Sequence, residues 1–206
     1  MPIPVVSAKD PPDCHPDPLA VRSALRREKI AARQAMTAEA RVACSSLVEQ
    51  HLWTLLLGYE GATLAFCWPM RGEFDCRPLV ARWLAAGGRA CQPVAAAAGA
   101  PMVFRPWIPG APMTSDPHGI PVPATMDIVP PDVILLPLVA FDGAGYRLGY
   151  GGGYFDRTLA SLEPRPLAVG VGFELARAAS ILPQPHDLPL DAVVTEAGIF
   201  RRGIDG

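Results

Sequence analysis

Residues 147–157 read RLGYGGGYFDR, with glycines at 149, 151, 152 and 153 around Tyr150, followed by Tyr154, Phe155 and Asp156. A plain turn needs one or two glycines. Four together let backbone N–H groups crowd around a bulky ligand without Cβ clashes, and the run leads into a helical stretch, YFDRTLASL, whose dipole favours negative charge at its start. The chemistry such a loop suggests is phosphate binding. Its letters do not match the two common nucleotide loops: G-x-x-x-x-G-K-[ST] needs a lysine and a hydroxyl residue, and G-x-G-x-x-G needs glycine where Tyr154 stands. On glycine content alone, a tight structural turn is as good a reading as a phosphate loop.

The elements that must hold the loop are legible on both sides of it. DVILLPLV precedes it as a buried strand, then a turn, AFDGAGY. Upstream, TLAFCW reads as a strand, RPLVARWLAAG as a helix and RACQPVAA as a strand, which is the βα rhythm of a parallel sheet covered by helices. MVFRPW, LAVGVGF and the closing pair AVVTE and GIFR complete the strands. The expectation is one α/β domain, a three-layer sandwich with a mostly parallel sheet. Residues 99–131, rich in proline and glycine, should form a long loop with at most short edge strands, a flap over the site. LAVRSALRREKIAARQAM, from Leu19, predicts a helix with a basic face. Thr37 should cap a second helix carrying Val42, Leu47, Val48 and Leu52. Residues 1–18 hold six prolines in MPIPVVSAKDPPDCHPDPLA and read as a flexible arm ahead of a single domain at 19–206.

Bulk properties exclude several classes. With 206 residues, 50% apolar content and a formal charge of −2, the chain has core enough for one domain and no footprint for nucleic acid or an anionic membrane. Five cysteines without a C-x-x-C pair fit reduced thiols in a cytoplasm, with Cys67 and Cys91 as strand thiols, rather than disulfides or a zinc site. No apolar run approaches the roughly 20 residues that span a bilayer, and the amino terminus lacks a secretory layout.

The longer segment ILLPLVAFDGAGYRLGYGGGYFDRTL strongly resembles the signature of the 5-formyltetrahydrofolate cyclo-ligase (methenyltetrahydrofolate synthetase) family, in which P-x-x-x-F-D precedes R-L-G-x-G-x-G-[YF]-[YF]-D. Pro137, Phe141, Asp142 and the run from Arg147 to Asp156 fit it. VRSALR at 21–26 is similar to the family's basic helix, FCWPMRGEFD to its substrate loop and PHDLPLDAVVTE to its closing segment. The resemblance implies a fold related to the ribose-5-phosphate isomerase and CoA-transferase superfold. It also implies a monomeric or weakly associating cytoplasmic enzyme, which uses ATP and Mg²⁺ to close 5-formyltetrahydrofolate, a reduced folate, to 5,10-methenyltetrahydrofolate.

By that resemblance Arg22, Arg26, Arg147, Gly149, Tyr150, Gly151, Gly152, Gly153, Tyr154 and Phe155 surround ATP. Trp68, Glu73, Tyr150 and the run from Gly151 to Tyr154 face the folate, Arg147 and Tyr154 serve catalysis, and Asp156 and Asp187 hold magnesium. The chain departs from the family at Gly152, often lysine, which transfers charge work to Arg147, magnesium and the basic helix, and at Arg22, commonly lysine, where arginine keeps the positive charge on a larger planar head. Each residue also has a bland reading: a solvated helix face for Arg22 and Arg26, a helix-start carboxylate for Asp156, a turn for Asp187, a loop glutamate for Glu73. Trp68, Phe104 and Trp107 could line the folate cleft or pack, and Met102 is expected to pack. His186 could tune Asp187, while His15, His51 and His118 are expected on the surface or in packing. Two other functions stay open: a divergent homologue acting on another small molecule, and a non-catalytic folate-binding protein.

Overall fold

The computed structural model describes residues 17–202. The Asp17 side chain accepts the Leu19 N–H at 3.0 Å, and Pro18 occupies the first turn of α1 (Pro18–Gln34), where its missing N–H costs no hydrogen bond. The helix thus begins one residue before the expected Leu19; the arm at 1–16 and His15 lie outside the described residues. Thr37 caps α2 (Ala38–Leu56) by accepting the Ala40 N–H at 3.2 Å. Val42 and Leu47, expected on its apolar stripe, are exposed, and the buried stripe is Val48, Leu52, Leu55 and Leu56.

Along the chain follow β1 (Thr63–Ala65), α3 (Arg77–Ala85), β2 (Arg89–Val94), β3 (Val103–Pro106), β4 (Met113–Ser115), β5 (Pro121–Pro123), β6 (Val133–Pro137), β7 (Ala140–Phe141), β8 (Arg147–Leu148), α4 (Tyr154–Ser161), β9 (Leu167–Val171), β10 (Ala192–Thr195) and β11 (Gly198–Arg201). Seven strands form one sheet in the order β11-β10-β9-β6-β1-β2-β3. Its five inner strands run parallel, and β11 and β3 close the edges antiparallel. The chain is α/β with a mostly parallel sheet, as expected. β6 shows why its sequence is apolar throughout: Val133 and Leu135 pack with Leu52, Leu79 and Trp83 of α2 and α3, while Ile134 and Leu136 pack with Leu159 of α4 on the other face. Each such side chain contributes about 1.5–3 kcal/mol by burial.

Two strands stop earlier than their apolar letters suggest. β1 ends at Ala65, Phe66 makes one last bond to the Cys91 carbonyl, and Cys67 and Trp68 leave the ladder; β6 ends at Pro137, and the chain turns into the β7–β8 hairpin. Both exits lie at the same edge of the sheet. From β1 the chain crosses through α3 to β2 on one side, and from β6 it crosses through α4 to β9 on the other, so the order reverses between β1 and β6. A crevice opens outside the carboxyl ends of strands at such a reversal. The 99–131 stretch supplies β3 and a β4–β5 hairpin, of which Asp116, His118 and Ile120–Val122 overhang this crevice. Among the described residues no helix is long and apolar enough to cross a membrane.

Candidate active site

The crevice is a cavity of about 720 Å³. Every residue singled out above for ATP, folate or metal lines it, although these residues come from the first helix, the loop after β1, the glycine run and the segment before β10.

On α1 the inward face is basic rather than apolar. Arg22, Arg26, Lys29 and Arg33 recur at i, i+4, i+7 and i+11, one stripe of a helix. Arg22 is buried and grips Asp187 through two bonds, Nη1 to Oδ2 at 2.6 Å and Nη2 to Oδ1 at 3.2 Å. Arg26 Nε donates to the Gly149 carbonyl at 2.7 Å, tying the helix to the glycine loop. Lys29 donates to the Leu175 carbonyl at 3.0 Å, and Arg33 to Leu138 O at 3.0 Å and Tyr150 Oη at 2.7 Å. Burial, then the nearby Arg22 charge, pulls the Arg26 pKa down; burial does the same to Arg147 against the opposing pull of Asp156 and Asp187. Guanidinium groups stay charged at neutral pH, so both crowd positive charge into a partly dry site that an anion would relieve.

In the glycine run, Gly151 (φ 100°) and Gly153 (φ 64°) take left-handed backbone, and Gly153 is the N-cap of α4 with no capping side chain. That leaves the first N–H groups of α4 without a side-chain cap. Gly152 has ordinary φ, but a Cβ there would lie 2.8 Å from the Tyr154 ring. A lysine at 152 therefore requires Tyr154 to sit elsewhere. The cation beside this backbone is Arg157, whose Nη2 donates to the Gly152 carbonyl at 2.8 Å.

The carboxylates are already engaged. Asp156 Oδ1 accepts the Leu188 N–H at 3.1 Å and lies 3.2 Å from Arg147 Nη1. Asp187 also accepts the Gln184 N–H at 2.7 Å; burial would raise its pKa, but the Arg22 bonds and charge and the Gln184 N–H together outweigh this and hold it low, with a minor contribution from exposed His186, 3.9 Å away. Among the described residues no three His, Cys, Asp or Glu side chains cluster to hold a metal by themselves. Magnesium commonly takes one or two protein carboxylates and fills its other positions with phosphate oxygens and water. Two carboxylates beside a phosphate-shaped loop fit that pattern, Asp156 more readily than Asp187, both of whose oxygens Arg22 holds.

Across the cavity, Glu73 accepts the Met70 N–H at 2.9 Å and a short hydrogen bond from the Tyr150 hydroxyl, with Arg33 Nη2 3.7 Å away. Burial raises its pKa, moderated by those bonds and by Arg33 and Arg71; burial and then the Glu73 charge push Tyr150 up to about 12. Trp68 borders the space with the Arg77 guanidinium 4.7 Å over its ring.

Two sequence expectations change here, at Met102 and at Cys67. Met102, expected in packing, lines the cavity and donates its N–H to Thr158 Oγ1 at 2.9 Å, whereas Phe104 and Trp107 are buried in the core. His118 is exposed, as expected, and from the hairpin it reaches Tyr154 Oη at 3.0 Å. Cys67, expected in a strand, lies beyond β1 on the cavity wall. Arg33 was missed, although its place on the basic stripe was readable; Gln92, on β2, was missed with no signal beyond a polar letter in an apolar strand.

The sequence pattern of the 5-formyltetrahydrofolate cyclo-ligase family matches residues 18–196. The chain is 30% identical over 175 residues to 5-formyltetrahydrofolate cyclo-ligase of Escherichia coli, covering 82% of this chain and 96% of that one. The 5,10-methenyltetrahydrofolate synthetase of Aquifex aeolicus superposes with a TM-score of 0.76 at 29% identity over 90% of this chain and 94% of its own. That of Mycoplasma pneumoniae shares the fold, with a TM-score of 0.67 at 22% identity over 85% and 98%. With the family pattern spanning both walls of the cavity, the chain belongs to the 5-formyltetrahydrofolate cyclo-ligase family.

Proposed function

We propose that this protein converts 5-formyltetrahydrofolate to 5,10-methenyltetrahydrofolate with consumption of ATP. The observation that carries the reading is one cavity with two unlike walls: basic helix, glycine loop and Asp156 on one side, Glu73 and Trp68 on the other. The formyl oxygen attacks the γ-phosphorus and its bond to ADP breaks; nitrogen 10 then attacks the activated formyl carbon, loses its proton, and phosphate leaves with the oxygen. Phosphoryl transfer asks mainly for positioning and charge neutralisation. Arg26 and Arg147 neutralise the triphosphate, the glycine backbone and the start of α4 seat it, and Tyr154 borders the junction with the folate. Glu73 accepts N–H donors of the pterin, and Trp68 gives that ring an apolar wall. Asp156, and Asp187 where Arg22 releases it, would hold a magnesium ion, which would supply further charge neutralisation. A cytoplasmic monomer without nucleic-acid or membrane partners belongs to the same reading.

The test is turnover of purified protein, followed by the near-ultraviolet absorbance of the methenyl product. Product should form only with 5-formyltetrahydrofolate, ATP and magnesium together. Asp156→Asn should lower kcat about 100-fold or more, as loss of a group aligned with transition-state charge does, while circular dichroism stays unchanged. No turnover by the wild type under any of these conditions sinks the reading. Folate binding that is indifferent to ATP and to Asp156→Asn would instead favour a sequestering protein.

A further inference from the structure

Gln92 lies on β2 with 1% of its surface exposed, and neither its Nε2 nor its Oε1 has a hydrogen-bond partner. A buried amide in that state carries a desolvation cost for both its donor and its acceptor, and such groups are rare in folded proteins. A core position would be better filled by an apolar side chain; the strand neighbours Cys91 and Val94 are of that kind. Yet the residue is also part of the cavity wall, one place along the ladder from Cys91 and next to Phe66, whose N–H bonds the Cys91 carbonyl at 3.1 Å. The cavity wall to which it belongs also carries the apolar side chains of Phe66, Met102, Ile120 and Val122. A ligand that fills the cavity finds in Gln92 an amide whose donor and acceptor are both unengaged.

We infer that Gln92 is a specificity-determining residue that pairs with a neutral amide-like edge of the substrate, the ring carbonyl and a neighbouring N–H of the reduced pterin. The inference rests on the folate reading proposed above. Chemistry separates its task from that of Glu73. A carboxylate only accepts, so Glu73 can serve ring N–H and amino donors but offers nothing to a carbonyl oxygen. The amide of Gln92 has both functions: Nε2–H donates to the carbonyl while Oε1 accepts an adjacent N–H. Three side-chain torsions let the amide turn toward a bound ring, and a site whose polar group is left unpaired rejects analogues that lack the partner more strongly than an apolar pocket rejects an added group. In the ligand-free protein the unpaired amide is a standing cost that substrate removes, so selectivity is obtained at the expense of stability.

Gln92→Leu separates this role from a structural one. Direct titration with 5-formyltetrahydrofolate should show affinity weakened about 10- to 100-fold, the loss expected for one or two neutral hydrogen bonds in a dry site. The KM for ATP should stay within about twofold, and the ligand-free melting temperature should hold or rise, because an unsatisfied amide has gone. Gln92→Met, close in length and shape, should behave alike and covers the case in which leucine disturbs the packing. Unchanged folate affinity in both variants, with or without a fall in melting temperature, overturns the inference alone. A wild type that does not bind 5-formyltetrahydrofolate overturns the folate reading and takes this inference with it.

Discussion

Asp187 shows how one side chain can link the site to the stability of the chain. Burial alone would raise its pKa, but the two bonds from Arg22, the Gln184 N–H and the Arg22 and His186 charges together leave it below the ordinary 3.8. A carboxyl whose folded pKa lies below its unfolded one stabilises fully above the unfolded value, and that stability is lost as pH falls through the folded value. Asp187→Asn should therefore be less stable than the wild type at neutral pH, with the gap closing below about pH 4. Urea midpoints measured from neutral pH downward decide it: a gap that stays constant into acid shows that Asp187 does not carry its charge into the fold. The same residue explains one limit of sequence reading. PHDLPLD shows an aspartate in a turn, but nothing in those letters reveals an arginine 165 positions earlier occupying both its oxygens.

At the scale of elements, α1 and the glycine run act as one device, joined where Arg26 holds the Gly149 carbonyl. Backbone strain in the run can be separated from helix stability elsewhere. At Gly151 a Cβ would meet only ordinary contacts, 3.7 Å from the Arg26 guanidinium, but φ of 100° is a conformation that alanine adopts poorly. Gly151→Ala should destabilise by about 1–3 kcal/mol and raise the KM for ATP, because the loop either pays the strain or changes shape. Thr37→Ala, which removes only the cap of α2, should destabilise by about 1 kcal/mol and leave both KM values alone. If Gly151→Ala shifts stability and leaves the KM for ATP unchanged, the run is a structural turn. Most of these elements were legible: the apolar run of β6, the Thr37 cap and the start of α4 each follow from local chemistry. What escaped was set by tertiary placement. Phe66–Trp68 look like strand and become cavity wall, and the outward Val42 and the inward Val48 carry the same letter. The basic stripe of α1 could be counted, but its ending at Arg33 on Tyr150 depends on a loop that comes 117 residues later.

For the whole molecule, the question is where the working unit begins. Three of the site's cations, Arg22, Arg26 and Arg33, sit on the first helix, so the amino-terminal boundary is a functional boundary as well as a structural one. The helix starts at Pro18 and its cap is the Asp17 side chain, and the family match also begins at residue 18. Among the described residues, none that lines the cavity precedes Leu19. A chain starting at Asp17 should therefore keep the cap, the basic stripe and turnover within about twofold, since it retains every described residue that lines the cavity. ATP should raise its melting temperature by as much as that of the full chain, because ligand stabilisation depends only on concentration and affinity. A chain starting at Pro18 loses the cap and should be less stable by about 1 kcal/mol with its KM values intact. A chain starting at Ala35 lacks every cation of the stripe and should fail to bind ATP even where it folds. Loss of turnover on starting at Asp17 would mean that the proline-rich arm contributes to the site, and the boundary would have to be drawn before it.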